Sequence, residues 1–180
     1  STGHLINVIG NQKDYQLNIR GKDSNLTAAE EGYIINLMGS PTRPANVNMN
    51  FSDGYMQGLV QQAVGSNLQM NLKDATWQLA KGGFNITASF NQLNLIDSRL
   101  VAFDQANKTA GKKSEFILVG DVNAKNSEMN MSNGIAGDQL KIGGNYTTGD
   151  NMWLMDAYLT GQGKDESSID RVTITGDTIK

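Results

Sequence analysis

The chain has no cysteine, two prolines and one histidine in 180 residues, and charged side chains make up only 18% of it. Without cysteine there are no disulfides, no thiolate metal sites and no thiol catalysis. With His4 as the single histidine, a zinc site built on several imidazoles is excluded, and a Ser/His/Asp triad has no obvious base. No run approaches the roughly 18 apolar residues of a membrane-spanning helix, so we expect a soluble chain. The net charge of −3 and pI near 5.1 argue against nucleic acid or an anionic membrane as the main partner. Lys112-Lys113 and Arg20 with Lys22 are too short as basic clusters to change that balance.

What the chain has instead is alternation. Val47, Met49 and Phe51 are interleaved with Asn48 and Asn50, and Leu68, Met70 and Leu72 with Gln69 and Asn71. Phe84, Ile86, Ala88 and Phe90 are interleaved with Asn85, Thr87 and Ser89. A period of two is the pleat of a strand with one face in a core and one in water, and the usual setting for it is an antiparallel sheet. Ser52-Asp53-Gly54 supplies the positive φ of a tight hairpin and predicts that residues 55–60 return along 47–51. Lys81-Gly82-Gly83 gives a second reversal, and residues 4–9 with 15–19 read as a first hairpin.

Turn signals recur every 8 to 12 residues, and further short strands are expected at Phe116–Val119, Val122–Ala124, Met129 with Met131, Gln139–Ile142, Trp153–Leu159 and Val172–Ile174. Helix is expected only at 97–110, capped by Asp97-Ser98, and in a turn or two after Thr27. Both prolines fall in Gly39-Ser40-Pro41-Thr42-Arg43-Pro44, which divides a segment 1–44 from a domain 45–180. The expected architecture is all-β: an antiparallel barrel of about eight strands, with a sandwich as the alternative, behind a small N-terminal hairpin or handle. No fixed-period repeat stands out.

The candidate functional residues are few. His4 could serve as a single axial haem ligand, with Tyr55 and the other tyrosines as alternatives. Trp153 lies between Met152 and Leu154, and the three cannot all face one core, which marks either a strand buried on both sides or an exposed apolar patch. The acidic neighbours Glu30-Glu31 and Asp165-Glu166 fall in surface turns, and no spacing converges two carboxylates on one cleft. Asn-x-Ser/Thr sequons at Asn25, Asn50, Asn85, Asn107, Asn130 and Asn145 follow from composition, because alternating polar strand faces put Asn and Ser or Thr two apart.

The blocks Asn50-Phe-Ser-Asp-Gly-Tyr-Met-Gln-Gly-Leu-Val60, Ala75-Thr-Trp-Gln-Leu79, Gly83-Phe-Asn-Ile-Thr-Ala88 and Val119-Gly-Asp-Val-Asn123 resemble the barrel of transferrin-binding-protein-B-like bacterial surface lipoproteins and hemophilin-type secreted proteins. The resemblance spans roughly residues 45–160 and lacks the aromatic of that family's Gly-Phe-Tyr-Gly element at Gly120-Asp121-Val122-Asn123. It implies Gram-negative export, an N-terminal handle, and capture of haem or a host protein through loops, with no binding residue transferable. The start at Ser1, without Met or a signal-type apolar segment, fits a processed product that an upstream lipid anchor could precede. The expected function is therefore a non-enzymatic, extracytoplasmic binding protein for haem or an iron-carrier protein. The alternative is a structural or adhesive β-domain that contacts protein or glycan.

Overall fold

The computed structural model describes residues 3–158 and 169–180. Its strands are extended, as the alternation requires, but their pairing is parallel. The first sheet joins β1 (Ile6–Ile9), β3 (Ile35–Met38) and β5 (Val60–Gln62). The second runs through β2 (Asp14–Thr27), β4 (Asn46–Gln57), β6 (Asn67–Lys73), β8 (Thr87–Ile96) and β10 (Glu115–Lys125). Below β10 it continues as β12 (Gln139–Ile142) and β13 (Tyr146–Gly149), then as β15 (Arg171–Ile174) and β16 (Thr178–Ile179). Beyond a corner, β7 (Thr76–Gln78) pairs with the end of β4 and then with β9 (Arg99–Val101), β11 (Glu128–Asn130) and β14 (Met152–Leu154).

Each strand thus pairs with the strand one turn of chain earlier and the one a turn later. This is a parallel solenoid of stacked coils, not an antiparallel barrel. Strands pair in this way across residue 44 as well, β1 with β3 and β2 with β4.

Parallel stacking converts the sequence alternation into continuous columns. Leu17, Met49, Met70, Leu93, Val122 and Tyr146 stack inward, as do Ile19, Phe51, Leu72, Leu95 and Ala124. A third column holds Leu26, Met56, Trp77, Leu100, Met129 and Trp153. These columns form one apolar core in which Trp77, Phe51 and Phe90 are fully buried. Trp77 sits edge-on to Phe90 at 6.3 Å, and its indole N–H donates to the Gly58 carbonyl at 3.0 Å.

The corners explain why the hairpins expected from turn residues do not form. Asp53, Asp74, Asp97, Asn126 and Asp150 all take the left-handed conformation, with φ between 48° and 57°. They bend the chain onto the next face instead of reversing it, so β4 runs through Asp53 and residues 55–57 do not return along 47–51. Asp and Asn tolerate this conformation because their short polar side chains bond locally. These five residues lie 21, 23, 29 and 24 positions apart, a repeat whose period varies.

Under the corner, small polar side chains form a ladder. The Ala75 N–H donates to Ser98 Oγ at 3.2 Å, the Ser98 N–H to Ser127 Oγ at 3.1 Å, and the Ser127 N–H to Asn151 Oδ1 at 2.9 Å. In return Ser98 Oγ donates to the Ile96 carbonyl and Ser127 Oγ to the Lys125 carbonyl. Buried backbone groups that a corner would orphan are satisfied one coil away.

Three smaller expectations are also corrected. Residues 4–9 and 15–19 belong to different sheets and are not a hairpin. Helix in the 97–110 region is confined to α1 (Gln105–Thr109), capped by Asp104, whose Oδ1 accepts the Asn107 N–H; Asp97-Ser98 form a corner before β9. No helix follows Thr27. Leu159, Asp165 and Glu166 lie outside the described residues.

Candidate functional site

The outward positions of the second sheet carry amides in register. One column runs Asn18, Asn50, Asn71, Asn94 and Asn123. Beside it run Gln16, Asn48, Gln69, Gln92 and Asp121, and then Asp14, Asn46, Asn67 and Asn91. Neighbouring coils are about 4.8 Å apart and successive outward side chains on a strand about 6.7 Å apart, so the face is a flat lattice of polar groups.

Within the lattice asparagines donate toward the preceding coil, while Gln92 Nε2 donates along its own strand to Asn94 Oδ1 at 3.1 Å. Asn50 Nδ2 donates to Asn18 Oδ1 at 2.8 Å, Asn71 Nδ2 to Asn50 Oδ1 at 2.9 Å, and Asn94 Nδ2 to Asn71 Oδ1 at 2.7 Å. The outer column repeats the direction, from Asn46 to Asp14, Asn67 to Asn46 and Asn91 to Asn67. Aligned amides polarise one another and hold their rotamers. Each amide has two N–H groups and two lone pairs; Asn71 spends both N–H groups, on Asn48 and Asn50, whereas Asn50 and Asn94 each keep one, and each of the three carbonyl oxygens keeps a lone pair. Asn123 makes no side-chain hydrogen bond among the described residues and ends its column.

Two shallow depressions mark the face. One, of about 560 Å³, has a mainly apolar floor of Phe51, Leu72, Leu95 and Ile96, with Asn50, Asn71, Asn94 and Asn123 and the lysines Lys73 and Lys125 around it. The other, of about 470 Å³, is lined by Asp14, Gln16, Asn46, Asn48 and Asn67. At the corner beyond, Asp74, Asp97, Asn126 and Asp150 edge a separate open trough, where Arg99 Nε lies 2.7 Å from Glu128 Oε1. Among the described residues no group of three or more His, Asp or Glu side chains is placed to hold a metal ion.

The residues singled out from sequence are far apart in the fold. His4 precedes the first coil, accepting the Tyr33 N–H on Nδ1 at 3.0 Å and lying 5.3 Å from the Tyr33 ring. Tyr55 faces outward in the second coil, where its hydroxyl donates to Gln57 Oε1 and partial burial raises its pKa. Trp153 points inward as the last member of its core column, edge-on to Tyr146 at 5.8 Å, while Met152 and Met155 are exposed on either side of it. The structure does not bring the three together.

A cluster that sequence reasoning missed lies at the opposite corner. Asp138 and Asp170 are buried and act as hydrogen-bond staples between coils. The Lys81 N–H donates to Asp104, the Asp104 N–H to Ser114 Oγ, the Ser114 N–H to Asp138 Oδ1, and the Asp138 N–H to Asp170 Oδ1. Burial, more than the nearby carboxylates Asp170 and Asp156, pushes the Asp138 carboxyl up to about 6. Asp170 is raised for the same leading reason. Burial also acts on Asp156, but hydrogen bonds from Asn133, Ser132, Gly134 and Ile135 outweigh it and lower that carboxyl. Among the described residues the partners of these groups are loop and corner atoms of the chain, which is a structural use.

The chain matches no family model, no curated protein and no solved structure. Among the described residues no helix is long and apolar enough to cross a membrane.

Proposed function

We propose that this protein is a non-enzymatic binding module whose solenoid presents the amide lattice to an extended glycan. The observation that carries the reading is the register: Asn50, Asn71 and Asn94 stand on one line across three coils, each fixed by its neighbour and each with hydrogen-bonding capacity left over. Sugar hydroxyls both donate and accept, and a polymer repeats them at regular intervals, so a rigid periodic array of amides suits them better than it suits a compact apolar ligand. Preorganised side chains also lose little entropy when they bind.

Capture of haem or an iron-carrier protein was what the resemblance over residues 45–160 implied, and it needed either a lumen or loops to hold the ligand. Here the interior is filled by the three apolar columns, and His4 spends its Nδ1 on the first coil. The low charge and amide-rich wet faces fit an extracytoplasmic setting, which we retain as part of the proposal. Affinity electrophoresis through gels containing dextran, hydroxyethylcellulose, alginate or hyaluronate tests the reading. We expect at least one polymer to retard the protein, and the Asn71→Leu/Asn94→Leu variant to migrate unretarded while keeping its circular dichroism spectrum. Free migration of the wild type in all four gels, or equal retardation of the folded variant, rejects it.

A further inference from the structure

We infer that the glycan is acidic, a linear chain bearing carboxylates, and that it lies along the solenoid axis with Lys73 and Lys125 as its anchors. This rests on the glycan reading above and adds a substrate class to it. Outward positions next to the Asn column are occupied, coil by coil, by Arg20, Ser52, Lys73, Ile96 and Lys125. Cations therefore recur every second coil, at about 9.6 Å from the 4.8 Å strand spacing. Arg20 is engaged, its Nε 3.0 Å from Asp53 Oδ2. Lys73 and Lys125 are exposed and form no ion pair among the described residues.

Both ammonium groups border the depression that the Asn column lines, and the exposed Ile96 side chain lies between them in register. Asp74 and Asp97, the nearest corner carboxylates in sequence, line the separate trough past the corner and not this depression. Asn123, the one member of its column without a side-chain hydrogen bond, sits on the same strand as Lys125 and two residues before it. The combination is two unpaired cations with an apolar step between them and a row of amides alongside. It complements a ribbon-like uronate chain, which offers carboxylates on one edge at every second sugar, an apolar ring face and hydroxyls on the other edge.

Isothermal titration with an alginate hexasaccharide and a neutral cello-hexaose, at low and moderate salt, tests the inference. We expect the uronate to bind, at least tenfold more weakly at 0.5 M NaCl than at 0.05 M because the pairing is exposed and screened. The Lys73→Gln/Lys125→Gln variant should lose at least tenfold in affinity, whereas Lys22→Gln/Lys141→Gln, which removes the same charge elsewhere, should bind as the wild type does. Equal binding of the neutral oligosaccharide, or uronate binding indifferent to Lys73 and Lys125, overturns the acidic assignment and leaves the amide-face reading standing. No binding of the uronate also overturns the acidic assignment, while the amide-face reading stands or falls on the four-polymer gels.

Discussion

The Ser114 N–H donates to Asp138 Oδ1 at 2.7 Å across one coil of the solenoid, and neither residue reaches solvent. The Asp138 carboxylate is therefore both a staple and a buried charge. Its titration has a definite sign. The folded-state pKa, about 6, lies above the ordinary carboxyl value of 3.8, so the fold favours the protonated form. The associated stability is complete below pH 4 and is lost as pH rises through 6, amounting to a difference on the order of 3 kcal/mol. Urea unfolding should give a higher midpoint at pH 5 than at pH 7, and Asp138→Asn should flatten that rise. A wild type that is less stable at pH 5, or a variant with an unchanged slope, would contradict the assignment.

Ser127→Ala removes an acceptor from the Ser98 N–H and a donor from the Lys125 carbonyl, leaving both without their side-chain partner under the corner. The Lys125 carbonyl still accepts the Asp97 N–H, so the Ser98 N–H is the one group orphaned, and a loss of about 1–3 kcal/mol is expected in equilibrium denaturation. Ser127→Cys, with its weak hydrogen bonding, should fall between the two.

Gly120 adopts φ +142° opposite a bulge in β8, and a Cβ there would come within 2.2 Å of the Phe90 carbonyl oxygen and 2.6 Å of its ring. Since both the conformation and the space exclude a side chain, Gly120→Ala should fail to accumulate as folded protein. Gly134, at φ +83° with open space around it, isolates the conformational part. Gly134→Ala should lower stability by only about 1–2 kcal/mol, read from the shift in thermal midpoint.

The two tryptophans should behave unequally. Trp77 is fully buried and hydrogen-bonded, so Trp77→Ala should cost about 3–5 kcal/mol. Trp153, half-buried at the end of its column, should cost about half as much when replaced by Ala. Acrylamide quenching separates them further: the Trp77→Phe protein, with Trp153 alone, should quench more steeply than the Trp153→Phe protein.

Much of the local structure was legible in the chain. The alternation at 47–51, 68–72 and 84–90 places Val47, Met49, Leu68, Met70 and Phe90 in the core and Asn48, Asn50 and Asn71 outside, and the structure puts them there; Phe84, which the same alternation turns inward, is instead fully exposed ahead of β8. The polar columns were visible as a chemical type but not as a register, because register is a property of neighbours. Sheet direction was misread for a physical reason. Parallel strands usually have both faces covered and read as continuous apolar runs, so a wet face suggests antiparallel pairing. A solenoid escapes that rule, because its parallel sheets wrap one core and leave the outer faces in water.

The repeat also escaped notice, since chain between corners absorbs variable lengths and spreads Asp74, Asp97, Asn126 and Asp150 over unequal spacings. What these sequences share is a short segment, Leu72-Lys-Asp-Ala-Thr-Trp77, Leu95-Ile-Asp-Ser-Arg-Leu100 and Ala124-Lys-Asn-Ser-Glu-Met129, in which an apolar residue, a left-handed Asp or Asn, a small residue and a second apolar residue fall at fixed offsets.

The sequence by itself determined which residues face inward, because a period of two and the cost of leaving water allow only one assignment for each strand. It marked one of the corners, at Asp53, but not those at Asp74 and Asn126, and it assigned Asp97 the role of a helix cap. Only the tertiary structure decided whether a turn reverses the chain or carries it onward into the next coil, since that depends on where the following apolar residue finds a partner. The consequence is the amide face itself: Asn50 and Asn71 are 21 residues apart in the chain, and parallel stacking sets them side by side.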